Sequence, residues 1–359
     1  MSHRCLFVPP YILDHIARVH ARGSLEPSAA QRSAVVSAEF RRARRYQAPG
    51  ITGVSAVAAE ATPKEVARGL TVPQPGSAGR LIYDDLNQWN ENVQFVRGEG
   101  DAAVVGENAN RAYENLGIVR QFYKDVLGRN SIDNAGLNLV GNVNFGVGFD
   151  NAFWDDANLV MVFGNGSGVV FKDLTGDIDV AGHELTHGVT QFTAGLNYTP
   201  DQSGALNESF SDMLGSAIDA LHNHRDATSH NWLIGEDIMA DDLYGEALRN
   251  MAEPGTAFDN PSMGRDPQPR DMSGYYEPAD PHLMSGIPNR WFYLICTEIG
   301  IEAGALIMYQ TLQNLWPNAV FNDAALVAAA QARILAETKQ VPAESAQVVR
   351  SAARQQGFW

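Results

Sequence analysis

His183-Glu184-Leu185-Thr186-His187 places two imidazoles four residues apart, with a carboxylate next to the first. On a helix, positions i and i+4 share a face, so both rings can reach one metal ion while Glu184 points off that axis, where it can touch a water on the ion. Downstream come Asn207-Glu208 and Ser211-Asp212, on a segment that reads as a loop, Ser203-Gly204-Ala205-Leu206, entering a second helix. Glu208 and Asp212 are again four apart and share a face. Glu208 reads as a third metal ligand, and Asp212 as the acceptor for the nitrogen of one histidine that does not face the metal. Three protein ligands leave one position open, which suits catalysis rather than a structural zinc. The chemistry this spacing predicts is hydrolysis, with Glu184 as the base.

A helix carrying such a site needs a framework. The chain has 359 residues, 45% of them hydrophobic and 19% charged, enough for two packed lobes of a globular protein. It contains no apolar run long enough to span a membrane. Its net charge of −16 argues against nucleic-acid binding. That charge is uneven: residues 1–45 hold eight arginines (Arg4, Arg18, Arg22, Arg32, Arg41, Arg42, Arg44, Arg45) against Asp14, Glu26 and Glu39. A basic segment on an acidic body is placed to dock on it, although a basic tail or helical linker would have the same composition. Residues 1–22 lack an apolar signal core, and Cys5 and Cys296 do not make a disulfide framework. The expected location is the cytoplasm, or outside the cell by a route without an N-terminal signal peptide.

The pattern predicts short helices over 11–21 and from Ser28 to about Arg44, then a linker over 45–79. A helix near Ala109–Leu127 has Ala112, Leu116, Val119 and Tyr123 spaced for burial. Strands are expected at Leu139–Phe145 and Leu159–Phe163, the latter turning through Gly164–Gly168 into a hairpin with Val169–Phe171. Beyond Val180 the chain reads as mostly helical, with late helices near 288–299, 302–314, 321–337 and 344–356. No internal repeat is evident.

These motifs resemble the thermolysin-like zinc metallopeptidases. Asn151-Ala152-Phe153-Trp154 is similar to the family's substrate-pairing edge strand, and Tyr123–Asp133 to its upstream signature. Gly235-Glu236-Asp237-Ile238, Leu248-Arg249-Asn250-Met251 and His282 with Ser285-Gly286-Ile287-Pro288-Asn289 follow in family order. The short N-terminal segment narrows the resemblance to the protealysin-like subgroup. The resemblance implies an α+β, two-lobed fold: a small helical propeptide (1–48), a β-rich lobe ending in the zinc helix (49–190) and a helical lobe (191–359). It implies Zn²⁺ on His183, His187 and Glu208. It implies catalytic roles for Glu184, Tyr198 and His282, and substrate contacts from Asn151, Ala152 and Arg249. Tyr198 could instead merely pack, and Arg249 could instead be a buried ion-pair partner. The loop before His282 departs from the family, with prolines where glycines are usual; Glu277 stands where the residue orienting His282 belongs, and Asp280 is its rival. Calcium is expected to be weak or absent: Asp179, Asp219 and Glu236 survive as candidate ligands, but Asn231 and Leu233 stand where acids belong, and calcium needs six to eight oxygens.

The function implied is a zinc-dependent neutral endopeptidase, made as a latent precursor and cutting on the amino side of bulky apolar residues. Its partners would be peptide and protein substrates, its own propeptide in cis and a proteinaceous inhibitor. Pro9-Pro10-Tyr11 is expected to plug the substrate cleft, since a proline nitrogen cannot pair with the edge strand; Cys5 reaching the zinc as a thiolate is the rival. Processing is expected within Arg41–Gly50. A degenerate peptidase acting as a binding protein is the alternative function. A structural zinc protein is a third, disfavoured by having only three ligands.

Overall fold

The apolar run at 160–163, and Leu139-Val140-Gly141-Asn142-Val143 with its one polar residue, suit a sheet covered on both faces. In the computed structural model, which describes residues 4–20, 28–45 and 79–359, they form such strands. The chain divides into two units, 1–177 with 238–243, and 178–237 with 244–359. Nearly all of the linker read over 45–79 lies outside the described residues.

The first unit is built on a six-stranded sheet. Its strands are β1 (Arg4–Leu6), β2 (Arg80–Asp84), β3 (Gln94–Gly98), β4 (Leu139–Val143), β5 (Ala152–Asp155) and β6 (Val160–Phe163), in the order β1-β5-β6-β4-β2-β3. β2, β4 and β6 run parallel; β5 lies antiparallel to both β6 and β1. The hairpin expected between 159–163 and 169–171 is absent: both edges of β6 are already taken, by β4 and β5, and Phe171 bridges Met239 instead. The helix α3 (Glu107–Asp125) buries Ala112, Leu116, Val119 and Tyr123, the stripe read from the sequence. Leu116 fits against Gly141 of β4, where a Cβ would lie 2.9 Å from its Cδ1. A separate cluster joins Leu6, Val140, Phe145, Phe149, Phe153 and Val162, with Val36 packed against it. The N-terminal segment therefore supplies part of this unit's core. Its helices are α1 (Pro10–His20), which buries Ile12, Leu13 and Ile16, and α2 (Ala29–Arg45), which buries Ala30, Ser33, Ala34 and Ser37.

One carboxyl of this unit is held at a cost. Asp85 is fully buried; among the described residues its Oδ2 finds no hydrogen-bond donor, and its Oδ1 meets the Val93 N–H at 3.3 Å. Burial pushes it up to about 7, outweighing that weak bond. The folded state then holds a proton that the unfolded state has released, between the ordinary value near 3.8 and 7. Stability must fall as pH rises through that window. Asp85→Asn is expected to match wild type at pH 4 and to be more stable by about 2–4 kcal/mol at pH 8, at roughly 1.4 kcal/mol per pH unit. Equal melting shifts at both pH values would refute this.

The second unit is helical. Its helices are α4 (Ile178–Gln191), α5 (Gln202–His222), the short α6 (Pro281–Met284), α7 (Gly286–Ile299), α8 (Ile301–Asn314), α9 (Phe321–Glu337) and α10 (Ser345–Gln356). Gly300, at φ 88°, separates α7 from α8, as expected for a glycine closing a helix. Asp201 caps α5 through the N–H groups of Ser203 and Gly204. No helix among the described residues is long and apolar enough to cross a membrane. α4 packs lengthwise on α5 and clusters with it in this unit. The two helices approach closely because a Cβ on Gly182 would lie 2.9 Å from the Gly215 Cα.

Candidate metal centre

Close antiparallel packing of α4 and α5 sets His183 beside Asp212 and His187 beside Asn207. His183 Nδ1 lies 2.8 Å from Asp212 Oδ1, and His187 Nδ1 lies 2.8 Å from Asn207 Oδ1. The Asn207 amide is fixed the right way round because its Nδ2 donates to the Leu196 carbonyl at 2.9 Å. Both acceptors commit the Nδ1 protons, and the two Nε2 lone pairs are left facing each other at 3.0 Å. Two lone pairs that close repel unless a positive charge, a proton or a metal ion, lies between them.

Glu208 completes the set. Its Oε2 is 3.3 Å from His183 Nε2, and its Oε1 is 3.7 Å from His187 Nε2. Oε2 is buried yet accepts no well-formed hydrogen bond. Donor atoms of His183, His187 and Glu208 all lie within 4.8 Å of one another. Bonds of about 2 Å to a shared ion require donors no more than about 4 Å apart, and the 3.0, 3.3 and 3.7 Å separations satisfy that. The electrostatics agree. Burial disfavours charge on His183, but Asp212 and Glu208 outweigh it and raise the imidazole to about 9. Burial likewise opposes charge on Glu208, yet His282, His187 and His183 hold its carboxyl well below the usual range. Two imidazoles and one anionic oxygen, with orienting acceptors behind the rings, are the donors of an open zinc site.

Asp212 is itself held. Arg249 grips it as a fork, Nε to Oδ2 at 2.7 Å and Nη2 to Oδ1 at 2.8 Å, and Asn289 Nδ2 donates to Oδ2 at 2.8 Å. Burial opposes ionisation of Asp212, but Arg249 and His183 prevail and lower it to about 2. The guanidinium of Arg249 is thus a buried ion-pair partner of Asp212.

Tyr198 and His282 stand on the other side of Glu208. The Tyr198 hydroxyl donates to Glu208 Oε1 and lies 3.4 Å from His282 Nε2, which is 3.4 Å from Glu208 Oε2. Glu277 does not orient His282; its carboxylate takes the Tyr275 hydroxyl. Asp280 does so instead, accepting from the His282 backbone N–H at 3.0 Å and meeting its Nδ1 at 2.7 Å. The reason is local: Pro281 opens α6, so Asp280 is its N-cap and reaches the helix's first residues. Glu184 is fully buried on α4. Asn207 was absent from the residues picked out by motif, although its position next to Glu208 was a usable signal.

The edge strand in the first unit carries the other residues. Asn151 Oδ1 accepts the Val8 N–H at 2.8 Å, its Nδ2 donates to the Val8 carbonyl at 3.2 Å, and the Ala152 carbonyl accepts the Phe7 N–H at 3.0 Å. The pairing register is Arg4 with Asp155, Cys5 with Trp154 and Leu6 with Phe153. Residues 4–8 therefore occupy this edge; Pro10 is the first residue of α1, and the Pro9 carbonyl accepts from Ile12 and Leu13. The Cys5 side chain and the end of the expected processing stretch, 46–50, lie outside the described residues.

Residues 56–191 match the family model described as thermolysin metallopeptidase, catalytic domain, and residues 194–357 the one described as its alpha-helical domain. The chain belongs to the thermolysin-like metallopeptidases. An "Extracellular metalloprotease" of Pectobacterium carotovorum subsp. carotovorum is 42% identical over 244 residues, 66% of this chain and 70% of that one. A "Thermolysin" of Alicyclobacillus acidocaldarius is 36% identical over 237 residues, 64% of this chain but only 40% of the relative. This chain thus spans about two fifths of the length of that thermolysin. Among solved structures, the precursor of protealysin, a metalloproteinase from Serratia proteamaculans, superimposes with a TM-score of 0.80 at 35% identity, covering 99% of this chain and 100% of that one. The thermolysin-like fold, a β-containing N-terminal domain and a helical C-terminal domain, is thereby shared. Zinc-dependent peptide hydrolysis is the chemistry of thermolysin-like enzymes, and the reading as a degenerate binding protein falls away.

Proposed function

We propose that this chain is a latent zinc endopeptidase whose own residues 4–8 hold the strand edge that an extended substrate would use. The observation that carries the catalytic half is the pair of imidazole Nε2 atoms facing each other at 3.0 Å beside Glu208, with both Nδ1 atoms committed elsewhere. When bound there, zinc would supply an acidified water and an electrophile for the scissile carbonyl. Glu184 takes the proton of the attacking water and returns it to the leaving amine. Tyr198 and His282 donate to the oxygen that gains charge, with His282 held in position by Asp280. The two donors stand 3.4 Å apart, so both can address one oxygen. Arg249 is assigned to a substrate carbonyl on the leaving-group side as well as to Asp212.

Asn151 and Ala152 bind a substrate backbone by strand addition, the same bonds that Phe7 and Val8 now make. This supports inhibition by the segment 1–48 in cis, with residues 4–8 on the strand edge beside the expected plug Pro9-Pro10-Tyr11. Cleavage before bulky apolar residues is proposed on the thermolysin-like resemblance. So is the absence of a tight calcium pair, supported by protein donors on the candidate ligands: Asp179 takes the Gly235 N–H, Asp219 takes Asn223 and Arg225, and Glu236 takes Asn231.

The test is to incubate the purified full chain while following peptide hydrolysis and the mass of the N-terminus together. Activity is expected to rise in step with loss of a segment ending within Arg41–Gly50, and to vanish with phenanthroline. Full activity with an intact N-terminus would refute latency. A trimmed, zinc-loaded and inactive chain would refute the catalytic assignment.

A further inference from the structure

Behind His183 the structure holds a longer chain of contacts than the metal site alone needs. Asp212 receives four donors, two on each oxygen: His183 Nδ1 and Arg249 Nη2 on Oδ1, Arg249 Nε and Asn289 Nδ2 on Oδ2. Asn289 sits on α7, and its own Oδ1 accepts from Ser209 Oγ on α5 at 2.6 Å. Ser209, Asp212, Arg249 and Asn289 are all fully buried. The amide orientation follows from its partners: turned over, Asn289 would aim an oxygen at a carboxylate. Ser209, one residue after the ligand Glu208 on the same helix, thereby locks the amide on α7.

The fork of Arg249 places one donor on each Asp212 oxygen. Asn289, from α7, adds a second donor to Oδ2, so the carboxylate is held from three elements besides its own helix. We propose that Ser209 and Asn289 are positioning residues that set the affinity for zinc, acting through Asp212 on the direction of the His183 lone pair. The proposal rests on His183, His187 and Glu208 being the metal donors. Removal of an orienting partner behind a ligating histidine costs about 10–100-fold in metal affinity. Asn289, one bond further out, is expected at the low end of that range, and Ser209 below it.

The experiment measures the zinc dissociation constant of the full chain by competition with a chromogenic chelator, in a Glu184→Gln background that prevents self-cleavage. Asn289→Ala is expected to weaken zinc about 10-fold and Ser209→Ala about 3-fold. If Ser209 acts only through the amide, Ser209→Ala adds nothing in the Asn289→Ala background. An unchanged constant in Asn289→Ala overturns the proposal. So does an equal Ser209→Ala effect in both backgrounds, since that is a general packing defect. Should Asn289→Ala fail to fold, Ser209→Ala decides alone: it removes one hydroxyl, and an unchanged constant refutes the positioning role. Failure of the parent chain to bind zinc would instead refute the metal-site reading itself.

Discussion

Glu184→Gln is expected to lower kcat by about 10³-fold while leaving one zinc per chain and an unchanged melting temperature. The magnitude is that of a positioned general base. The amide keeps the volume of the side chain and removes only its ability to take a proton. Glu184 lies between two donors on α4 but is not among the three groups whose atoms converge, so the variant separates metal binding from chemistry. The measurement pairs steady-state kinetics on a chain freed of residues 1–48 with metal analysis of the same sample. Activity within tenfold of wild type would remove Glu184 from the mechanism. Zinc lost together with activity would make it a ligand instead.

Arg249→Ala carries the largest expected effect on stability. The guanidinium is the cation facing a fully buried Asp212, with both partners at 0% exposure. Breaking a buried pair by removing one side costs about 3–5 kcal/mol, because the remaining charge is stranded. For a domain of this size the melting temperature should fall by on the order of 10 °C. Arg249→Lys keeps the charge but loses the two-pronged geometry, and should fall about half as far. In an Asp212→Asn background the same Arg249→Ala change should cost much less, since no charge is left stranded. Equal losses in both backgrounds would show that Arg249 works by packing alone.

Much of this was legible in the sequence because helical periodicity is strict. His183 and His187, and Glu208 and Asp212, must each share a face if their segments are helical, and both segments are. The stripe on α3 was readable for the same reason. Features depending on non-local choices were not readable. Nothing within Val169–Phe171 reveals that β4 and β5 have already taken both edges of β6. Arg4-Cys5-Leu6 is too short to show alternation, so its pairing with β5 is silent in composition. Asp280 against Glu277 is a different case. The Asp-Pro pair is a visible helix start, but without α6 at Pro281 the spacing to His282 favours Glu277 over its rival Asp280.

The edge of β5 has one more consequence. On the proposed latency, the sheet of the first unit is finished by a strand that the active enzyme would discard, and a peptide to be cut would take its place. Each turnover would then repair and reopen the same sheet. Between turnovers the row of backbone groups from Ala152 to Asp155 would stand open, the kind of surface through which proteins join edge to edge. If that proposal holds, the N-terminal segment would guard against self-association as well as against premature cutting, and the edge it covers is short, four residues in β5.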